Sequence, residues 1–143
     1  MGSLSVGSEM GLTAEVILMN KIKVSIWGRE FDLNIIYDCY SGEEVLESQK
    51  EAVKKFADAD QAIALSLDAL KEYCLTMNKE EIEANTIENI FKYVAPKYIY
   101  VPREDEKYVV ALMCNYRFDQ EHGIAVVFED EKFVKVGKQD IIL

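Results

Sequence analysis

Hydrophobic and polar positions alternate clearly in the first third of the chain. In Lys21–Trp27, Ile22, Val24 and Ile26 alternate with Lys23 and Ser25, and in Glu30–Tyr37, Phe31, Leu33, Ile35 and Tyr37 alternate with Glu30, Asp32 and Asn34. A period of two marks half-buried strands. Gly28-Arg29 between them reads as a two-residue turn in which glycine supplies the positive φ. That turn pairs Ile26 with Phe31, Val24 with Leu33 and Ile22 with Ile35, so apolar side chains meet on one face.

The period then lengthens to that of helices. Ser41-Gly-Glu-Glu44 has the form of a capping box, in which a hydroxyl and a carboxylate satisfy the free amides of a first turn. Beyond it Val45, Gln49, Ala52, Val53 and Phe56 share one helical face. Asp58 or Asp60 is positioned to cap a second helix running to about Thr76, with Ile63, Leu67, Leu70 and Cys74 as its stripe. Ala62, Leu65, Ala69 and Tyr73 widen that stripe, as expected of a helix packed on more than one side. Asn78-Lys-Glu-Glu81 and Asn85-Thr-Ile-Glu88 resemble further helix starts. The second predicts a short third helix carrying Ile87, Ile90, Phe91 and Val94, stopped by Pro96.

The last third returns to strands: Tyr98–Val101, Lys107–Tyr116, Ile124–Phe128 and Lys132–Val136. Lys107–Tyr116 is apolar on both faces, the pattern of a central strand. The predicted fold class is therefore α+β: an N-terminal β-hairpin, three helices, then an antiparallel four-strand meander, with the helices packed on one face of the sheet. The Gly/Ser-rich residues 1–11 read as a disordered lead, and 12–143 as a single domain.

Composition narrows the functional classes. A length of 143 residues suffices for one core without metal or disulfide staples. No apolar run reaches the roughly 18–20 residues of a membrane span, and no basic stretch precedes residues 12–19, so neither a membrane nor a signal peptide is expected. The expected location is the cytoplasm. Cys39, Cys74 and Cys114 lie far apart within apolar patterns and read as core thiols. No metal-ligand spacing and no phosphate-binding glycine loop is present, so no metal and no cofactor is expected.

A net charge of −10 without a basic patch disfavours nucleic acid; it either simply keeps a small protein soluble or favours a basic protein partner. Two acidic turns, Glu104-Asp105-Glu106 and Glu129-Asp130-Glu131, occur at strand connections, where solvation alone accounts for them. If both turns lie on one edge of the sheet, they form a single acidic surface. Tyr93, Tyr98, Tyr100, Tyr108 and Tyr116 either cover the sheet or form an exposed recognition row.

The chemistry-bearing candidates lie in one loop, Asp119-Gln-Glu-His-Gly123, which contains the only histidine. Asp119 and His122 could form an acid/base pair or supply two metal ligands. Glu121 and His122 would face apart in an extended segment, so only a tight loop would converge them. The structural alternative is a turn in which Asp119 caps loop amides and Gly123 takes a positive φ. Cys114, on the strand before the loop, is predicted to lie out of reach of His122.

Several stretches carry a family likeness: W-G-R-E-F; S-G-E-E-V-x-x-S-Q-K-E-A-V-x-x-F with Ser48-Gln49; C-N-Y-R-F-D-Q-E-H-G-I-A-V-V-F; and F-V-K-V-G. From Val24 to Gln139 the chain resembles a family of small bacterial domains of unknown function, in which an (aromatic)-D-x-E-H-G-(Leu/Ile) segment precedes a late strand. Phe118 and Gln120 stand where Trp and Pro are common in that family. The resemblance implies no catalytic residues, and some relatives look like immunity or accessory proteins of toxin systems. Two readings follow. The favoured one is a non-enzymatic, immunity-like module that engages a basic partner, with Asp119, Glu121, His122, Asp130 and Glu131 as binding candidates. The alternative is a small hydrolase or metal-dependent enzyme with Asp119 and His122 as catalytic candidates.

Overall fold

The computed structural model describes residues 21–39, 42–104 and 106–143. The expected disordered lead, and Ser41 and Asp105, lie outside them. Six strands form one mixed sheet in chain order: β1 (Lys21–Ile26), β2 (Arg29–Tyr37), β3 (Val94–Val101), β4 (Val109–Tyr116), β5 (Ile124–Glu129) and β6 (Lys132–Gly137). Two α-helices, α1 (Glu47–Ala57) and α2 (Asp60–Asn78), lie between β2 and β3 in the chain. All neighbours pair antiparallel except β2 and β3, which run parallel from Asn34–Tyr98 to Tyr37–Val101.

This corrects the expected architecture of three helices and an antiparallel four-strand meander: the sheet is six-stranded and mixed. Among the described residues there are two α-helices, and the hairpin continues into the later strands through the parallel β2–β3 pair. The third helix fails for local reasons. Ala84 and Asn85 take left-handed φ of 61° and 55°. The β-branched Thr86 and Ile87 follow, residues that lose χ1 freedom in a helix. What remains is a short 3-10 turn, Ile90–Lys92, where the Asn89 side chain accepts a hydrogen bond from Phe91 N. Pro96 lies inside β3 rather than ending a helix. The β2 ladder begins only at Tyr98, and the β4 ladder shifts register between Pro96 and Tyr98, the kind of irregular site where a missing amide donor is tolerated.

The hairpin register also differs. Ile26 pairs with Arg29, Val24 with Phe31 and Ile22 with Leu33, displaced by two residues from expectation. The turn residues are Trp27 and Gly28, at φ 50° and 92°, the double positive φ of a type I′ turn. An even displacement leaves the same side chains on the core face. The Trp27 indole N–H donates to Ser66 Oγ at 3.1 Å, which fastens the turn to α2.

Helix α1 starts after Leu46, not within Ser41–Glu44. Gly42–Leu46 is not helical, and the Gln49 side chain takes over the capping role by accepting from Leu46 N at 2.9 Å. Asp58 lies at the end of α1 and Asp60 begins α2, where no side chain caps the helix. Within α2, Ile63, Leu70 and Cys74 are buried as expected, while Leu65 is 67% exposed.

The main core lies between the helices and one face of the sheet. There Ala52, Phe56, Ile63, Leu70 and Cys74 meet Ile26, Leu33, Ile99, Leu112, Ile124 and Phe128. On the other face Val109, Ala111, Met113, Ala125 and Val127 form a smaller buried cluster, with Tyr98, Tyr100 and Ile142 packed against it. Strand β4 therefore contributes to both cores, which explains its lack of alternation. No helix among the described residues is long and apolar enough to cross a membrane.

Candidate functional site

The β4–β5 loop folds as a compact turn around Asp119. Asp119 N donates to Tyr116 O at 3.2 Å, and Gly123 N donates to Asp119 O at 2.9 Å. The carboxylate accepts from His122 N at 3.2 Å and contacts His122 Nδ1 at 3.0 and 3.1 Å through its two oxygens. Gln139 N donates to His122 O at 3.1 Å, while the Gln139 amide reaches Cys114 O at 3.0 Å. Gly123, at φ 59°, closes the turn. A Cβ there would lie 2.7 Å from Cys114 O and 2.6 Å from Gln139 Nε2.

Asp119 and His122 are thus brought together, and Glu121 is not: its side chain faces solvent. Burial pushes the Asp119 carboxyl up, but the His122 N–H, the His122 ring and Lys138 outweigh it and hold the group below its ordinary value. A carboxylate on Nδ1 orients an imidazole with Nε2 outward, the arrangement a general base uses. Neither of the two principal cavities is lined by His122. Cys114 is buried and faces the main core, where burial pushes its thiol well above the usual range. It is therefore a structural thiol rather than a nucleophile. Burial likewise pushes Cys74 up to about 11. No group of three His, Cys, Asp or Glu side chains among the described residues has metal-binding geometry.

Asp130 and Glu131 occupy the β5–β6 turn, both left-handed at φ 53° and 66°. Lys55 of α1 reaches them at 3.2 and 3.9 Å and lies 5.0 Å from the Tyr108 ring centroid. Asp130 N donates to Tyr108 O at 3.0 Å, so the β5–β6 turn touches the connection before β4. That connection is tied to α1 in turn: Ser48 Oγ donates to Glu104 O at 2.7 Å, and Arg103 Nη1 donates to Glu44 O at 3.0 Å while Nε lies 3.6 Å from Glu43.

Because β2 and β3 are parallel and β3, β4 and β5 alternate, the ends of β2, β3 and β5 fall on one edge of the sheet. The condition for a joint acidic surface is met. Asp38, Glu43, Glu44, Glu47, Glu51, Glu104, Glu106, Glu129, Asp130 and Glu131 gather there and along α1. The cations among them are Lys50, Lys54, Lys55, Arg103, Lys107 and Lys132, of which Lys50, Lys55 and Arg103 are already in ion pairs. Burial, and then the nearby charge and hydrogen bond of Asp38, push the Tyr100 hydroxyl up to about 12.

The tyrosines do not form one exposed row. Tyr116 is buried and donates to Asn78 Oδ1 at 2.7 Å, Tyr98 and Tyr100 pack on the smaller core, and Tyr93 stacks on Phe118. Arg103 and Lys55, which organise the acidic edge, were not singled out by sequence pattern. Their only local signal is a cation among acidic or helical neighbours, and the partners lie far away in the chain.

The family model for a domain of unknown function (DUF6985) matches residues 9–143. No curated protein and no solved structure matches the chain.

Proposed function

The chain belongs to this family of domains of unknown function, and from its surface we propose a non-catalytic protein-binding module whose acidic edge receives a basic partner. The observation that carries the reading is the contact of the β5–β6 turn with the connection that carries Glu104 and Glu106, Asp130 N to Tyr108 O, with Lys55 linking α1 to that turn. Carboxylates in excess over unpaired cations on one edge attract a basic surface from a distance and orient its approach. Such a module is immunity-like in the sense that the family resemblance suggests: an acidic protein of the bacterial cytoplasm that occupies a basic toxin or accessory protein.

The competing reading, a small hydrolase using Asp119, Glu121 and His122, is supported by the Asp119–His122 contact of 3.0 Å. Glu121 stands apart from that pair, and neither principal cavity is lined by His122. The loop serves better as a rigid connection with an exposed imidazole.

The decisive experiment compares the protein with a Glu104→Gln, Glu106→Gln, Asp130→Asn, Glu131→Gln variant, first confirmed to be folded. Each is used as bait for proteins encoded beside its gene, at two salt concentrations. The expected result is a basic partner held by the parent, lost from the variant and weakened by salt. A partner retained equally by both proteins overturns the reading.

A further inference from the structure

At the opposite end of the sheet from the acidic edge, two adjoining cavities open to solvent where β3 begins and β4 ends. The first encloses about 420 Å³ and is lined by Lys92, Tyr93, Asn115, Arg117 and Gln120, among others. The second encloses about 360 Å³, shares Lys92, Tyr93 and Arg117 with the first, and adds Phe118, Glu80, Glu81 and Glu83.

The charges around them are oddly arranged. Lys92 and Arg117 make no ion pair with any described residue, although Glu80, Glu81 and Glu83 line the same cavity. Each cation lies near an aromatic ring instead: Lys92 Nζ is 5.8 Å from the Tyr93 centroid and Arg117 Cζ 6.0 Å from that of Phe118. On the other side Asn78 Nδ2 donates to Glu81 Oε1 at 3.4 Å, and Asn78 is itself held by the Tyr116 hydroxyl. Arg117 N donates to Tyr93 O at 2.8 Å, which holds these two lining residues against each other. Opposite charges thus line one cavity with no ion pair within 4 Å between them, which leaves space for a ligand that bridges them.

We infer that the two cavities form one groove for a short zwitterionic peptide. Arg117 and Lys92 would hold its carboxylate, and Glu80, Glu81 and Glu83 would hold its cationic end. The guanidinium offers a planar fork to a carboxylate, and Asn115 and Gln120 add amide donors at the same side. A lone dianion such as phosphate fits less well, because three carboxylates stand on the rim. Tyr93, which lines both cavities, adds an aromatic surface beside the cations.

The test uses the tripeptide Gly-Gly-Lys, its C-terminal amide, and inorganic phosphate, each titrated into the isotopically labelled full chain and followed by amide chemical shifts. The expected result is saturable movement of Lys92–Val94 and Asn115–Arg117 by the tripeptide at millimolar concentration. Amidation, or Arg117→Glu, should weaken binding at least about tenfold. Glu80→Gln, Glu81→Gln, Glu83→Gln should weaken the tripeptide while leaving phosphate unchanged or improved. All substituted positions are exposed, and a retained thermal transition shows that a variant has folded. Equal binding of the amidated peptide, tighter binding of phosphate than of the tripeptide to the parent protein, or no saturable movement of these amides overturns the inference. Loss of the acidic-edge partner would not affect this result, since that edge lies at the other end of β4.

Discussion

At Gly123 two constraints coincide: a φ of 59° and the absence of room for a Cβ against Cys114 O and Gln139 Nε2. Gly123→Ala should therefore destabilise the fold by about 1–3 kcal/mol, the usual cost of forcing a side chain into a strained backbone position. Urea unfolding measures this, and a loss within the noise would show that the loop yields instead. Asp119 offers a second check at the same scale. Its carboxyl is held low in the folded chain, so its stabilising contribution is present above the unfolded value of about 4 and disappears as pH falls through the folded pKa. In Asp119→Asn the fall in stability below pH about 4 should be shallower than in the parent, as read from denaturation midpoints across that range. The turn itself was legible, because Asp and Gly at that spacing have few other uses. The bond from Asp119 to the His122 ring was legible only as one of two alternatives, since it depends on the loop being tight enough to bring i and i+3 together.

Among the elements, the strands were read well where period two or a continuous apolar run was present, and the helices were read worse. Nothing in Asn85–Glu88 as a pattern distinguishes a helix start from an extended approach to β3; the outcome rests on two left-handed residues and on β2 being available as a parallel neighbour. The two-residue error in hairpin register has a similar origin. Trp27 takes a positive φ that bulky residues rarely adopt, and the indole bond to Ser66 on α2 is a tertiary contact invisible in the hairpin alone. Gln49 is the clearest case of an element fixed by a contact that periodicity cannot show. It is 1% exposed, accepts from Leu46 N, and donates to Asp38 O and Val101 O, both at 3.1 Å. It therefore joins the start of α1 to the ends of β2 and β3. Gln49→Leu leaves those three backbone groups without their partner, and a loss of at least about 3 kcal/mol is expected at the cost of about one to three per unsatisfied buried group. Gln49→Glu keeps an acceptor for Leu46 N but turns a buried carboxyl group toward Asp38 O and Val101 O, so it should cost at least as much as Leu. If Leu proved as stable as the parent, the polar link would be dispensable.

Over the whole molecule, charge is arranged by topology more than by composition. The net charge of −10 is legible at once, but its concentration follows from the parallel β2–β3 pair, which sends three strand ends to the same edge. Had the hairpin joined the sheet antiparallel, Asp38 and the start of α1 would have faced the other end, and the acids would have been divided. Carboxylates gathered in this way repel one another, and salt screens that repulsion within a Debye length of about 8 Å at physiological ionic strength. The melting temperature should therefore rise as sodium chloride is added from low concentration. Neutralising Glu104, Glu106, Asp130 and Glu131 should remove most of that rise. Neutralising Glu30, Asp32, Glu72 and Glu88, acids outside the edge, should remove much less of it. Equal flattening by the two sets would mean that the acidity acts through total charge alone, and the edge would lose its claim as a distinct surface. Asp130→Asn also breaks the ion pair to Lys55, a loss that salt screening alone does not reproduce, so its contribution is separated by measuring Lys55→Met in the same series.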